Sequence, residues 1–232
     1  VDPSGMWPTN VDVVATRLAY SDDNGRTWTG SSSGALINNF LDVTIPLASP
    51  LDAGTWVNEV SQLIYDPGAI AAERWKILWH HYLIINNVRR FEHGWIAMKM
   101  AGTPEGLATA TEIKLFAGHF YNTGNDVLNG GSRSPVGNPP LIQLNTLAPA
   151  LSGCAVLTEP GMYASNSGLY VGLQCEVFDF AVPPAYLNRL IVLLKCAGAC
   201  GSAASWSYQG TVLQRSDASA FGFDSGFAAP SM

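Results

Sequence analysis

Charge is scarce in this chain. Asp, Glu, Lys and Arg make up only 13% of its 232 residues, about half the ~25% of an average domain. A helical bundle, a coiled coil or a disordered tail would carry far more. The formal net charge of −6 removes the basic footprint of a nucleic-acid binder. Long apolar runs are missing too: the longest, Leu190–Leu194, is strand length, against roughly 20 residues for a membrane-spanning helix. There is no Gly-rich phosphate loop, no Gly-x-Ser-x-Gly elbow, no His-Glu-x-x-His helix and no Asn-x-Ser/Thr sequon. Val1 is not preceded by a charged-then-apolar leader, so a signal peptide is expected to be absent or already removed.

Cysteine is sparse. Cys154, Cys175, Cys196 and Cys200 allow three pairings, among which spacing alone does not choose. Cys196-Ala-Gly-Ala-Cys200 suits a small local loop in an oxidising compartment. A zinc site would want a second close pair, which Cys154 and Cys175 do not supply. A structural role is therefore expected, and with it a secreted or periplasmic setting.

What is abundant is Gly (23), Pro (14) and Trp (7). Period-2 segments recur, and helical periodicity is nearly absent. Strands are expected at 11–20, 56–65, 75–85, 94–100, 111–116, 154–164, 169–177, 190–196 and 206–214. Asp66-Pro67-Gly68 and Ser165-Asn166-Ser167-Gly168 read as turns, with Pro presetting φ and Gly tolerating φ > 0. Residues 118–150 lack sustained apolar patterning and read as a long loop insertion. The strands from 56 to 116 form one up-and-down unit of four, and those from 154 to 214 form another. Repeated four-stranded units are the signature of propeller blades. The expected fold is all-β: a β-propeller domain over residues 1–232, incomplete at both ends, preferred over a two-sheet sandwich.

Ser21-Asp22-Asp23-Asn24-Gly25-Arg26-Thr27-Trp28 matches S-x-D-x-G-x-T-W at every fixed position. This is the Asp-box of sialidases and other propellers, a scaffold hairpin. Its Asp bonds turn amides, its Gly takes φ > 0, and its Trp is expected to pack under the blade.

The blade pattern resembles the five-bladed propeller glycoside hydrolases, the arabinanase, xylosidase and fructosidase-like group. Trp56-Val57-Asn58-Glu59 through Asp66-Pro67, followed by Trp75-Lys76-Ile77-Leu78-Trp79-His80-His81-Tyr82, is similar to the inner hairpin of one of their blades. Gly94-Trp95 through Pro104-Glu105-Gly106 looks like their third strand and turn. Leu157-Thr158-Glu159-Pro160, with Tyr163 and Gly168-Leu169-Tyr170, is similar to the segment that carries their general acid. The resemblance implies five blades around a channel, the missing ones supplied by a longer parent chain or by another polypeptide, and a carbohydrate substrate. It implies no cofactor, and no motif marks a calcium ion at the propeller centre.

Glycoside hydrolysis needs two carboxyl groups flanking the scissile bond. Glu159 and Glu59 sit early on the first strand of each repeat unit and form the best pair available. Glu159 is expected as the acid, and Glu59 as a base, a tuning group or a sugar ligand. Trp56, His81, Arg90 and Tyr163 are candidate substrate-binding residues, and no metal ligand is expected. His80 and His81 are adjacent in a strand, so only one of them can face a channel. A sialidase would want an arginine trio and an Arg-Ile-Pro-type segment, which is absent. The alternative to a glycosidase is a propeller that binds carbohydrate or a partner without catalysis.

Overall fold

The computed structural model describes residues 16–30, 36–38, 41–45, 52–85, 88–122, 125–126, 131–132, 139–179 and 185–220. They are mostly strand. Near the start lie β1 (Thr16–Arg17), β2 (Ala19–Tyr20), β3 (Thr29–Gly30) and β4 (Leu36–Asn38). Then follow β5 (Leu41–Ile45), β6 (Asp52–Tyr65), β7 (Trp75–Ile85), β8 (Val88–Ala101) and β9 (Ile113–Ala117). After the short β10 (Asn125–Asp126), β11 (Gly131–Ser132) and β12 (Ile142–Gln143) comes a second long set. It comprises β13 (Cys154–Ser165), β14 (Gly168–Asp179), β15 (Ala185–Cys196) and β16 (Trp206–Leu213). The chain is all-β, and both expected four-strand units are present. The order β6-β7-β8-β9 is the centre of a six-stranded sheet with β5 and β12 at its edges, and β13-β14-β15-β16 is a four-stranded antiparallel sheet.

The two large sheets pack face to face, with β13 lying against β6, β7 and β8. Strand β7 shows why its sequence is apolar at nearly every position. Leu78 faces the second sheet and joins Ile96 and Met98 in a core shared with Leu157, Met162, Leu173 and Val192. Ile77, Trp79 and Leu83 alternate to the other face, where Leu18 and Ile37 from the N-terminal strands cover them with Trp56 and Trp95. A strand buried on both faces cannot alternate apolar with polar. The described residues thus stack three β-layers: the N-terminal pairs, the six-stranded sheet and the four-stranded sheet.

The Asp-box folds as a hairpin between β2 and β3. Asp23 Oδ1 accepts the Thr27 and Arg26 amides at 2.8 and 2.9 Å, and Asp23 Oδ2 accepts the Thr27 hydroxyl at 2.7 Å. These bonds, from Thr27 first, hold the Asp23 carboxyl down to about 2. Gly25 takes φ 84° as the motif requires. Trp28 departs from expectation: it is 66% exposed, with Nε1 donating to Gly25 O. Strands β2 and β3 pair only with each other among the described residues, so no third strand supplies a surface for the indole.

Within 118–150 the described residues are not featureless. β12 pairs in parallel with β9, and α1 (Leu144–Leu147) buries Leu144 in the shared core. The expected strand at 11–20 is described only from residue 16, and 11–15 lie outside the described residues. The cysteines pair as Cys154–Cys175 and Cys196–Cys200. The first bridges two neighbouring strands, and the second closes the loop between β15 and β16.

Candidate functional site

Both candidate carboxylates lie at a β-bulge, and the two bulges are built alike. On β6, Glu59 pairs with His80 and Gln62 with Leu78, so Val60 and Ser61 stand opposite Trp79 alone. On β13, Thr158 pairs with Gln174 and Gly161 with Gly172, so Glu159 and Pro160 stand opposite Leu173 alone. The first bulged residue is left-handed in each case: φ is 51° at Val60 and 51° at Glu159. That conformation usually belongs to Gly in such bulges. For a valine or a glutamate in a strand it costs on the order of 1–3 kcal/mol. Val60, not Glu59, therefore holds the position equivalent to Glu159. Glu59 is equivalent to Thr158, and a one-residue offset along a strand puts a side chain on the opposite face.

The bulges sit at one level across all three layers. Thr16 Oγ1 on β1 lies 2.6 Å from Ser61 Oγ on β6, and the Met162 amide on β13 donates to Gln62 Oε1 on β6. Glu159 Oε2 is buried and has no hydrogen-bond partner among the described residues. Thr158 Oγ1 and Gln174 Oε1, cross-strand neighbours beside it, are likewise buried without partners there. A buried polar atom without a partner is costly, and Trp79 Nε1, Asn145 Oδ1 and Arg189 Nε are in the same state elsewhere among the described residues. Glu59 is differently placed: Tyr82 donates its hydroxyl to Glu59 Oε1 at 2.8 Å, and the Tyr82 ring lies 4.9 Å from His80. Burial, helped by the neighbouring His81, pushes the His80 imidazole down to about 3.

The other candidates fall into separate places. Trp56 and His81 do meet, stacked at 5.1 Å, but on the face of the six-stranded sheet away from Glu59. There His81 also contacts Trp95 at 4.4 Å, and its Nδ1 lies 2.6 Å from Asn58 Oδ1. Both rings are buried, so their faces are occupied by protein. Tyr163 is 53% exposed and pairs across the strands with Tyr170. Arg90 belongs to β8 opposite Leu83, and its side chain lies outside the described residues.

Sequence reasoning passed over a cluster at the end of the Trp56–His81 stack. Trp95 Nε1 donates to Glu112 Oε1 at 3.1 Å, the Lys114 ammonium lies 4.1 Å above the Trp95 ring, and it donates to Tyr121 OH at 3.0 Å. Desolvation raises the Glu112 pKa and lowers that of Lys114, their mutual attraction opposing both shifts. Burial pushes the Tyr121 hydroxyl up to about 12, and burial beside Lys114 pushes His81 down to about 3. The signal was the Glu-x-Lys spacing, with Glu112 just before β9 and Lys114 on it, which places both on one side of an extended chain.

A cleft of about 390 Å³ opens at the far end of the sheets. The 66–73 turn, the 166–168 turn and the Cys196–Cys200 loop line it, several residues beyond the bulges. Among the described residues no group of three His, Cys, Asp or Glu is arranged to hold a metal ion, and no helix is long and apolar enough to cross a membrane. No known family model matches the sequence, and neither a curated protein nor a solved structure is significantly similar to it.

Proposed function

We propose that the chain is part of a carbohydrate-directed β-propeller, secreted or periplasmic, in which Glu159 serves as the acid of a glycoside hydrolase. Two consecutive four-stranded meanders packed face to face, with a third β-layer behind them, support successive blades. A two-sheet sandwich has no need of the third layer. Equivalent bulges on β6 and β13, the first strand of each meander, support an internal repeat. Two disulfides suit an oxidising compartment.

The observation that carries the catalytic reading is at Glu159. A non-glycine residue is held left-handed on an inner strand, and its buried Oε2 lacks a partner among the described residues. Strain and an unmet polar atom at one residue are what a preorganised functional group displays. Sugar release from arabino-, xylo-, fructo-, galacto- and sialo-oligosaccharides tests it, comparing the protein with its Glu159→Gln variant. A fall of about 10²–10⁴-fold in the variant is expected for loss of a general acid. Release unaffected by the substitution removes Glu159 from the mechanism.

A second reading, binding without catalysis, draws on one observation. Glu59 already accepts the Tyr82 hydroxyl and is offset by one position from Glu159's counterpart. That leaves Glu159 without a second carboxylate at the matching place. Folded protein that binds a panel sugar but releases none would favour this reading.

A further inference from the structure

We propose that the outer face of the second sheet carries a binding site for an acidic polysaccharide, built from Tyr163, Tyr170 and Lys195. It needs neither Glu159 nor catalysis, so it goes beyond the reading above while sharing its class of ligand. The strand register assembles it. Tyr163 pairs with Tyr170 across β13 and β14, Tyr170 with Lys195 across β14 and β15, and Lys195 with Ser207 across β15 and β16. Their chain neighbours Met162, Val171, Leu194, Cys196 and Trp206 all lie in the core shared with the first sheet. Alternation therefore turns this row to the opposite face, outward. The row crosses three strand spacings, about 14 Å, which suits a chain of sugar rings better than a single one. The two tyrosine rings are tilted by 41° with centroids 6.5 Å apart, and Tyr163 is 53% exposed, so it keeps a ring face open for the C–H face of a sugar. Tyr170 is steadied by Ser167 Oγ, 3.0 Å from its hydroxyl, and by the Lys195 ammonium, 5.3 Å from its ring centroid. The charge that selects the ligand is Lys195. Of the chain's four lysines, Lys76 pairs with Asp66, Lys99 donates to Ile37 O at 2.6 Å, and Lys114 lies over Trp95. Lys195 has no carboxylate partner among the described residues and stands in an outward-facing row with an exposed aromatic ring. In a protein of net charge −6, an uncompensated cation beside tyrosines is matched by a sugar that brings its own carboxylate, a uronic acid.

Titration calorimetry with three probes tests it: polygalacturonate, its neutral methyl ester, and poly-glutamate, which carries the charge without the ring. The parent protein should bind polygalacturonate, the methyl ester about fivefold more weakly, and poly-glutamate least. Tyr163→Ala should weaken both sugar polymers about tenfold, whereas Tyr163→Phe keeps the ring face and should stay near the parent. Lys195→Gln should bring polygalacturonate down to the level of its methyl ester and leave the ester unchanged. Circular dichroism melts confirm that each variant is folded. Folded parent protein that does not bind polygalacturonate would overturn the inference, as would Tyr163→Ala binding like the parent. Poly-glutamate bound as tightly as polygalacturonate would also overturn it, showing a site for acidic peptide instead. Glu159→Gln keeps the two readings apart. Sugar release that depends on Glu159, with uronate binding indifferent to Tyr163 and Lys195, sinks this inference alone. Uronate binding through Tyr163 and Lys195, with no release from any substrate, sinks the acid role of Glu159 alone.

Discussion

Lys76 is fully buried on β7, on the face turned toward the second sheet, where an uncompensated ammonium would be intolerable. Its Nζ lies 3.0 Å from Asp66 Oδ2 and donates to Glu73 O at 2.6 Å. Asp66 is itself buried, and its other oxygen accepts the Gly68 amide at 3.1 Å, closing the turn that joins β6 to β7. Asp66→Ala strands the charge and opens the turn. Removing one partner of a buried pair costs about 3–5 kcal/mol, and the lost turn bond adds about 1 kcal/mol. Against a total stability of about 5–15 kcal/mol that loss brings the fold near its limit. Lys76→Met leaves Asp66 buried without its cation and should cost about 3 kcal/mol. The double variant removes both charges and should recover most of the loss, leaving only the turn bond and the Glu73 carbonyl unmet. The predicted coupling is at least ~2 kcal/mol. Urea denaturation with constant m values measures all four corners of the cycle. A loss below about 1 kcal/mol for Asp66→Ala, or strict additivity in the double variant, would refute the claim that this pair is tightly buried and interdependent.

The histidines predict an acid limb of stability. His80 and His81 both sit at about 3 in the folded protein against 6.5 unfolded. Between those values the unfolded chain binds protons that the buried rings refuse, so stability is intact above about pH 6.5 and falls as pH drops toward about 3. Each ring contributes a slope of up to ~1.4 kcal/mol per pH unit. His81→Phe should reduce the slope by about one ring's share in denaturation series across that range, and an unchanged slope would contradict it. The disulfides should rank by the chain they close. Cys154–Cys175, with a separation of 21, predicts a loss of about 3 kcal/mol on replacing both cysteines with alanine, and Cys196–Cys200, with a separation of 4, about 2 kcal/mol. Paired-alanine variants compared by urea denaturation check the order, and its reversal would show that chain entropy does not govern them.

Much of the strand pattern was legible because alternation and turn chemistry agreed. The strand expected at 75–85 is β7 residue for residue, and those at 154–164, 169–177 and 206–214 match their strands to within two residues at each end. Asp66-Pro67-Gly68 marked the right turn for a further reason than expected, since Asp66 serves both the turn and Lys76. Strand β8 begins at Val88, six residues before the expected start, because Arg89, Arg90 and Glu92 broke the apolar pattern although the backbone of Arg89 and Arg90 pairs with β7. The exposed Trp28 and the return of β12 to the main sheet depend on which strands exist nearby, which no local motif encodes.

The site was less legible, and the reason is geometric. Aligned by eye, Val57-Asn58-Glu59-Val60-Ser61 and Leu157-Thr158-Glu159-Pro160-Gly161 set glutamate over glutamate, and a period-2 reading then gives both the same face. A bulge breaks that logic, because it inserts one residue without a partner and changes the parity of everything beyond it. Nothing in residue type announces it here: the left-handed positions are a valine and a glutamate, neither of which favours φ > 0. The same parity argument separates Trp56 and His81 from Glu59, because Asn58 pairs with His81 while Glu59 pairs with His80. A channel argued from neighbouring letters therefore drew residues from two faces of one sheet. The backbone register makes Val60, not Glu59, the positional counterpart of Glu159, and the functional reading stands or falls on Glu159 alone.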